Sequence, residues 1–413
     1  MPDAPQRRGG RPGIARHGRL PRRRAWTTLL VGFATVMAVV AVSGVSVGAV
    51  ALQSITGGIN TVKLSTDDTS TANKTDITAM KGGANILLAG SDTRIDQFDA
   101  NEDVEGARND VTILVHISAD HTQLTAVSFP RDLIVPMPAC TNPETGTSYP
   151  SSTAAQFNTA LGNGGLSCVV DTVENLTGLS IPYAGMITFD GVIEMSNAVG
   201  GVDVCVANQI DDAFTGLHLT AGNHSLQGDD ALKFLRTRHG VGDGSDLARI
   251  SSQQVFLSAL LRKVTSDGTL SNPLTLYKLA RAAISNMTLS DGLASTTTLV
   301  GLATTLRGMS TSNMLFVQYP VVDDPDDPAR VIVAQSDAHT LNVALQNDTK
   351  TSLSDSSTGR ASESDGTATG AASAPTSDAT TAAPSATPSE ASTPLPSSIS
   401  GQSAAEQTCS VGN

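Results

Sequence analysis

Arginines occur in four short segments that could bind an anion, and in three of them they occur together with an aspartate beside a predicted strand. The four segments are 90–94 (GSDTR), 108–110 (RND), 128–132 (SFPRD) and 235–239 (LRTRH). Only 11 arginines follow the basic first 24 residues, and six of them lie in these segments or at the start of the helix that follows the last one: Arg94 and the five candidate anion ligands Arg108, Arg131, Arg236, Arg238 and Arg249. Because a planar guanidinium group binds phosphate oxygens in a bidentate way, this concentration predicts one anion-binding pocket.

Two aspartates lie beside predicted strands near these arginines. Asp92 follows the predicted strand 85–89, and Asp110 directly precedes the predicted strand 111–117. Mg²⁺ is commonly held by one or two carboxylates together with waters and substrate phosphates, so the pair is a candidate magnesium site for phosphoryl chemistry. The alternatives are a local turn stabilised by Asp92 and a plain salt bridge between Arg108 and Asp110.

A strand end and a helix supply further candidates. Arg131 follows a strand that ends at a proline, which places this arginine beside a loop-lined cleft. The alternative for it is a surface ion pair with Asp132. Arg249 and Gln253 are four residues apart and therefore stack on one face of a predicted helix. An arginine on this partly apolar helical row needs an anionic partner, because an isolated buried charge is costly.

Arg236 and Arg238 alternate with neutral residues, so they share one face if their segment is extended. His239 follows them and is either a general base or, as we favour, a structural polar residue. Several enzyme classes are excluded by absent motifs: the sequence has no GxxxxGKS/T, HExxH or CxxC, and its one GxSxG, at residues 44–48, lies within the apolar segment 25–53 and not after a predicted strand of the domain. A net charge of −13, with the basic residues concentrated at the N-terminus, argues against nucleic-acid binding.

Apolar patterning predicts the elements that position these residues. Short apolar runs bounded by Gly, Asp or Pro indicate strands at 85–89, 111–117, 124–129, 202–206 and 314–319. Apolar stripes and composition favour helices at 152–161, 169–176, 193–198, 247–264, 273–287 and 294–307. Strands and helices alternate, which predicts a layered α/β domain at 83–348.

The flanks of this domain have a different composition. Residues 1–24 contain eight arginines, and the apolar segment 25–53 is long enough to span a bilayer, which predicts a single transmembrane helix with the domain outside the cell. The alternative is a cleaved signal peptide. Residues 54–82 form a predicted polar stalk. The Ser-, Thr-, Ala- and Pro-rich residues 349–413 are expected to be a disordered tail.

Four cysteines follow the predicted membrane segment, where the environment is oxidising. Cys140 and Cys168 lie in segments predicted to be loop-like, and we expect them to form a disulfide. Cys205 lies in an apolar strand and is interpreted as a small buried side chain. Cys409 has no evident partner.

Taken together, the motifs resemble those of the LytR-CpsA-Psr family of bacterial cell-wall ligases. The resemblance rests on NILLAGSDTR, RNDVTILVHI, VSFPRDL, QFNTALGNGG, FDGVIEMSNAVGGVDV, LQGDDALKFLRTRH and DLARISSQQ, which occur in this order between residues 85 and 264. It implies an α/β/α sandwich on a mixed central sheet. It also implies a membrane-anchored, Mg²⁺-dependent phosphotransferase that moves a glycopolymer from a polyprenyl-pyrophosphate carrier to peptidoglycan. The richness in Arg, Ala, Gly and Thr is typical of an actinobacterial protein.

The resemblance also implies roles for individual residues. Asp92 and Asp110 match the family's magnesium-associated carboxylates, and Arg108, Arg131 and Asp110 are the expected catalytic residues. The residues that match the pyrophosphate-contacting set are Arg108, Arg131, Arg236, Arg238, Arg249 and Gln253. The segment 156–165 departs from the usual family pattern in a region that borders the lipid. Two alternatives remain open: a lipid-pyrophosphate hydrolase, and a non-catalytic membrane-anchored regulator of the cell envelope.

Overall fold

The computed structural model describes seven segments of the chain. These are residues 60–65, 83–91, 108–142, 145–266, 272–353, 358–365 and 392–413. All of them belong to one unit, Gly58–Asn413. The predicted basic segment 1–24 and transmembrane helix 25–53 lie outside the described residues, as does most of the predicted stalk. Within the described segments, no helix combines the length and the apolar character needed to cross a bilayer.

The strands and helices alternate along the chain. The strands are β1 Asn60–Val62, β2 Ala84–Ser91, β3 Asn109–Ile117, β4 Leu124–Phe129, β5 Leu133–Met137, β6 Cys140–Thr141, β7 Ser148–Tyr149, β8 Ser152–Gln156, β9 Tyr183–Thr188, β10 Val202–Val206, β11 Ile210–Asp212, β12 Leu217–Leu219, β13 Gly222–Leu226, β14 Met287–Ser290, β15 Met314–Gln318, β16 Val321–Asp323, β17 Val331–Val333, β18 Thr351–Ser352, β19 Ser362–Ser364, β20 Thr393–Pro394, β21 Gly401–Ser403 and β22 Thr408–Ser410. The α-helices are α1 Ala160–Thr177, α2 Phe189–Ala198, α3 Asp229–Arg236, α4 Asp246–Thr265, α5 Pro273–Asn286, α6 Thr296–Gly308 and α7 Gln335–Gln346.

The central sheet has eight strands in the order β1-β14-β9-β2-β3-β4-β15-β21. It is mixed, because β2 pairs in parallel with β9 and antiparallel with β3, and β4 pairs antiparallel with β3 and in parallel with β15. A four-stranded sheet of β16, β17, β5 and β8 follows from the end of β4, and another contains β13, β10, β22 and β19. The expectation of a mixed central sheet is confirmed.

Helices cover both faces of the central sheet. Leu87, Leu114 and Val127 pack on one face with residues of α1 and α7. On the other face, Ile86 and Ile113 pack with residues of α4 and α6. Because adjacent strand residues point to opposite faces, the continuous apolar runs of β2, β3 and β4 fill both layers. The three layers make an α/β/α sandwich.

Most predicted elements are found within two residues of their expected ends, but three are not. The helix predicted at 169–176 is the later part of α1, which begins at Ala160. Residues 152–156 form strand β8 instead of a helix, because β8 pairs antiparallel with β5 at the edge of its sheet. The helix predicted at 193–198 begins earlier, at Phe189, where the Thr188 hydroxyl accepts a hydrogen bond from the Gly191 N–H. This cap fixes the first turn of α2.

The prediction of a disordered tail is wrong for residues 349–353, 358–365 and 392–413. Strand β21 pairs with β15 at the edge of the central sheet, and β22 pairs with β10 and β19. Leu395, Ile399 and Ala404 are buried in the main cores. The tail therefore contributes to the folded domain, although its composition alone is too polar to predict this.

Both cysteine pairs form disulfides. The expected bond between Cys140 and Cys168 is confirmed, with Cα atoms 5.5 Å apart. Gly164 interrupts the helical geometry of α1 beside it, and a Cβ atom there would lie 2.8 Å from Cβ of Cys140, so only glycine fits. The interpretations of Cys205 as unpaired and of Cys409 as partnerless are wrong, because these two cysteines are bonded to each other.

Candidate functional site

The centre of the site is an ion pair between Asp110 and Arg131. Strands β3 and β4 are antiparallel, with Thr112 opposite Phe129, so the start of β3 lies beside the end of β4. Arg131 Nη1 donates to Asp110 Oδ1 at 2.7 Å. Both side chains are partly exposed, at 24% and 21%. The turn after Phe129 therefore delivers Arg131 to the carboxylate of Asp110, whereas the sequence had suggested Asp132 as the ion-pair partner of Arg131.

Helix α4 adds a buried ion pair behind this centre. Asp246 Oδ2 accepts a hydrogen bond from the Arg131 backbone N–H at 3.0 Å, and Asp246 Oδ1 lies 2.6 Å from Nη2 of Arg249. The same Nη2 donates to the Asp110 carbonyl oxygen at 2.8 Å. Ser245 caps the helix, and Asp246, its first residue, pairs with arginines.

Burial and charge shift the pKa values of these groups in different directions. Burial raises the pKa of Asp246 and lowers that of Arg249, while the charge of each partner opposes the change. Burial also lowers the pKa of Arg131, but the hydrogen bond to Asp110 and the nearby carboxylates of Asp246 and Asp132 raise it more, so it lies above its ordinary value. Arg131 is therefore a permanent cation at the centre of the site.

Asp132 is the second carboxylate at the end of β4 and is 8% exposed. Its Oδ1 accepts hydrogen bonds from Gln156 Nε2 at 2.7 Å and from Arg330 Nη1 at 3.1 Å. Its Oδ2 lies 3.7 Å from Arg131 Nε and 3.9 Å from Arg238 Nη1. Asp132 therefore lies beside three arginines. The sequence had suggested only a surface ion pair between Asp132 and Arg131.

The end of α3 and the segment that follows it present two further arginines, Arg236 and Arg238. Arg236 is exposed and stacks on the Phe189 ring, 4.4 Å from its centroid. Arg238 Nε donates to the Gly244 carbonyl oxygen at 3.0 Å. Asp212 accepts from the Thr237 hydroxyl at 2.6 Å and from the Arg238 N–H at 3.2 Å, which fixes the backbone between the two arginines.

Gln253 also helps to hold the backbone that carries Arg236 and Arg238. Its side chain is buried, and its Nε2 donates to the Leu235 carbonyl oxygen at 2.8 Å. This contact ties α4 to the end of α3, directly before Arg236. Gln253 therefore positions the arginine segment from beneath, while it also lines the cavity described next.

An apolar cavity of about 510 Å³ opens beside the arginines. Strands β2, β3 and β9 and helices α2, α3 and α4 form its walls, with side chains that include Leu88, Ile113, Ile187, Leu235 and Leu260. The predicted residues that line it are polar or charged: Asp110, Arg131, Arg236, Arg238, Arg249 and Gln253. The cavity thus combines an apolar interior with a cationic border, an arrangement that suits a ligand with an apolar chain and an anionic head group.

A second, polar cavity of about 270 Å³ lies next to the first. Arg131 and Arg238 line both cavities, and Arg108, Arg330 and Asn158 line only the polar one. Arg108 itself is exposed. All six residues of the predicted pyrophosphate set therefore border one or the other cavity.

His239 lies at the edge of the site. Its ring stacks against that of Phe214, with centroids 4.3 Å apart, and both residues line the apolar cavity. Phe214 is 82% exposed at the turn between β11 and β12. The observed contact is aromatic, in keeping with the structural role favoured for His239.

The predicted magnesium pair is described only in part, because Asp92 lies outside the described residues. Asp110 borders the apolar cavity and offers the oxygen chemistry that Mg²⁺ prefers. Elsewhere in the described part of the chain, one cluster of potential metal-binding side chains occurs, formed by Cys205, Asp365 and Cys409. Its two cysteines are joined in a disulfide, so this cluster is not a metal site.

Sequence reasoning missed Arg330 and Gln156 as members of the site. Arg330 lies almost two hundred residues after Asp132 and follows the acidic segment 323–327, where an arginine suggests only a surface charge. Gln156 lies in the segment first predicted as a helix. The pairing of β5 with both β17 and β8 brings these residues to Asp132, and no local pattern encodes that pairing.

Comparison with known proteins finds relatives among curated sequences. The chain is 29% identical over 282 residues to cell wall biosynthesis protein LcpA of Corynebacterium glutamicum, a match that covers 62% of this chain and 54% of that protein. It is 28% identical over 251 residues to the polyisoprenyl-teichoic acid–peptidoglycan teichoic acid transferase TagT of Bacillus subtilis, covering 59% of this chain and 71% of that protein.

Solved structures share the fold. Protein gbs0355 of Streptococcus agalactiae superposes with a TM-score of 0.54 at 22% identity, over 67% of this chain and 90% of that one. The chain spans about half the length of the first curated relatives it matches. The model of the LytR_cpsA_psr family matches residues 52–350, which include every described residue of the site. The chain belongs to the LytR_cpsA_psr family.

Proposed function

We propose that this protein transfers a glycopolymer from a polyprenyl-pyrophosphate carrier to peptidoglycan during cell-wall assembly. The observation that carries the proposal is the apolar cavity of about 510 Å³ whose border is formed by arginines. An isoprenoid chain matches the apolar walls, and a pyrophosphate matches the guanidinium groups. The transferase name of the Bacillus subtilis relative supports the same assignment.

The reaction requires little covalent chemistry from the protein. A sugar hydroxyl of peptidoglycan attacks the phosphorus that bears the glycopolymer, and the bond from this phosphorus to the bridging oxygen breaks. Polyprenyl phosphate leaves, and the proton of the hydroxyl passes to solvent. Charge develops on phosphate oxygens during this exchange, so positioned cations supply most of the catalysis.

Each arginine has a task that follows from its contacts. Arg131 lies between the two cavities and is held by Asp110 and Asp246, so its guanidinium group is fixed before substrate binds. We assign it to the phosphorus under attack. Arg236 and Arg238, on the segment fixed by Asp212 and Gln253, bind the remaining phosphate oxygens.

We further propose that Asp92 and Asp110 hold Mg²⁺. When bound, the ion neutralises negative charge on the pyrophosphate. Chelator should therefore abolish turnover of the lipid substrate, and Asp110→Asn should require more Mg²⁺ for half-maximal turnover. Full activity in chelator would refute the metal's role.

We also propose that residues 25–53 anchor the protein in the membrane with the domain outside the cell. Both substrates, the lipid carrier and peptidoglycan, lie on that outer side.

The test uses the full chain in detergent with a polyprenyl-pyrophosphate-linked oligosaccharide and soluble peptidoglycan fragments. Wild-type protein should release polyprenyl phosphate and join the oligosaccharide to the fragments through a phosphate. Arg131→Ala should lower kcat by ~10²-fold, because it removes a contact to developing charge. Arg307→Ala, at an exposed arginine on α6, is the matched control and should leave kcat unchanged.

The products separate the alternatives. Release of free phosphorylated oligosaccharide without transfer would identify a hydrolase, in which water replaces the sugar hydroxyl. Tight lipid binding with no cleavage would identify a non-catalytic regulator. A rise in KM alone for Arg131→Ala would show that this arginine binds substrate without stabilising the transition state.

A further inference from the structure

The polar cavity is distinct from the apolar cavity but shares its border. Arg131 and Arg238 line both spaces, so a phosphate that contacts these two arginines lies between them. With the lipid in the apolar cavity, the phosphate's other substituents point toward the polar one. In-line displacement also brings the attacking oxygen from the side opposite the leaving lipid phosphate.

Strand pairing builds the far wall of the polar cavity. Val331 of β17 lies opposite Leu133 of β5 in parallel register, and the Val331 N–H donates to the Asp132 carbonyl oxygen at 3.3 Å. Arg330 and Asp132 directly precede these paired residues, which brings their side chains to 3.1 Å. Arg330 Nε also lies 3.7 Å from Asp327. The sheet therefore holds a fourth guanidinium group at a defined place in the cavity wall.

Asn158 supplies a different kind of group. It is 4% exposed, its backbone N–H donates to the Arg131 carbonyl oxygen at 3.2 Å, and its side chain lines the polar cavity. Within the part of the chain that the structure describes, the buried Oδ1 of Asn158 accepts no hydrogen bond. A buried amide oxygen without a donor is rare, and it points to a ligand that brings the donor.

The two kinds of group specify the ligand's chemistry. Four guanidinium groups against one carboxylate favour anionic oxygens, and the Asn158 carbonyl requires an O–H or N–H close to them. We infer that the polar cavity binds a sugar hydroxyl directly beside the phosphoryl group, with Asn158 accepting its hydrogen bond and Arg330 contacting the phosphoryl oxygens. The inference rests on the proposed function. The hydroxyl has two possible sources: the first sugar of the carrier-linked polymer, or the acceptor sugar of peptidoglycan.

Two ratios measured on the full chain in detergent test the inference. The first is the affinity for polyprenyl pyrophosphate bearing one sugar, divided by that for bare polyprenyl pyrophosphate. The second is the rate of transfer to peptidoglycan fragments, divided by the rate of hydrolysis. Asn158→Leu removes the carbonyl at similar volume, and Arg330→Gln removes the charge. Arg307→Gln is the matched control on an exposed helix face.

A three- to tenfold fall in the first ratio for Asn158→Leu, the effect of one lost hydrogen bond, identifies the donor's sugar as the ligand. A fall of that size in the second ratio identifies the acceptor's hydroxyl. Arg330→Gln should weaken binding of both lipids, because its contact with the phosphoryl oxygens is common to them, and circular dichroism reports that each variant is folded. Unchanged ratios for Asn158→Leu, or unchanged lipid affinity for Arg330→Gln, would overturn the inference and leave the proposed function standing, whereas failure of the wild-type protein to bind either lipid would overturn both.

Discussion

The disulfide between Cys205 and Cys409 should stabilise the protein more than the one between Cys140 and Cys168. It joins β10 to β22 in parallel register and links residues 204 positions apart, whereas the other bond closes a separation of 28. In the chain-entropy treatment, the stabilisation grows with the logarithm of loop length, giving about 5 kcal/mol for the longer loop and about 3.5 kcal/mol for the shorter. The difference, about 1.8 kcal/mol, depends only on the ratio of the two loop lengths.

The perturbation is paired replacement by alanine, Cys205→Ala with Cys409→Ala against Cys140→Ala with Cys168→Ala. Guanidinium denaturation of the non-reduced proteins gives the free energy of unfolding for each, and thiol labelling of the denatured wild type should find no free cysteine. Cys140, Cys168 and Cys409 are buried and Cys205 is half-buried, so the loss of sulfur packing is no larger for the Cys205 pair than for the Cys140 pair. Equal losses, or a larger loss for the Cys140 pair, would refute the loop-length reasoning. Labelling at Cys409 in the wild type would refute the bond itself.

Two further predictions concern buried charges. Arg249→Met should lower the free energy of unfolding by about 3 kcal/mol, because Asp246 would remain buried without its nearest cation and only with the more distant Arg131, and adding Asp246→Asn should recover part of the loss in a denaturation series. Burial lowers the pKa of His116 below its ordinary value, against the opposing charge of Asp348, so the folded state binds its proton less readily than the unfolded state. The His116 contribution to stability is therefore complete above about pH 6.5 and is lost as the pH falls through the lowered pKa, and His116→Gln should flatten the unfolding free energy measured between pH 7 and pH 5. An unchanged pH slope in this variant would contradict the assignment.

The central strands could be predicted because the sequence patterns that specify them are local. The runs that form β2, β3 and β4 are apolar, short and bounded by turn residues, and each strand lies where its run predicts. Helix α4 was equally predictable from the sequence, since its apolar stripe spans five turns. Arg131 and Asp110 could be linked because β3 and β4 are consecutive and joined by a short turn, which leaves their pairing little freedom.

The pairing of strands that are far apart in the sequence could not be predicted in the same way. Strand β22 consists of Thr408, Cys409 and Ser410, a sequence with no apolar run, and it is a strand because β10 and β19 supply hydrogen bonds on both sides. Composition suggested disorder for this segment because composition counts side chains and ignores the partner strands. The Cys205–Cys409 bond was missed for the same reason: a partner cannot be assigned to a cysteine whose segment has no predicted structure.

Charge balance explains why the site combines carboxylates with arginines. Six arginines border the two cavities, and three of the described carboxylates, Asp110, Asp132 and Asp246, form ion pairs with them. If carboxylates neutralised every arginine, the site would have no affinity for an anion. If the arginines had no carboxylate partners, they would repel one another and would not keep fixed positions. Each carboxylate instead bridges residues from different elements: Asp246 bridges Arg131 and Arg249, and Asp132 bridges Arg131, Arg238 and Arg330. The carboxylates therefore orient the guanidinium groups while a net positive charge remains for the phosphates, which is the preorganisation that electrostatic catalysis requires.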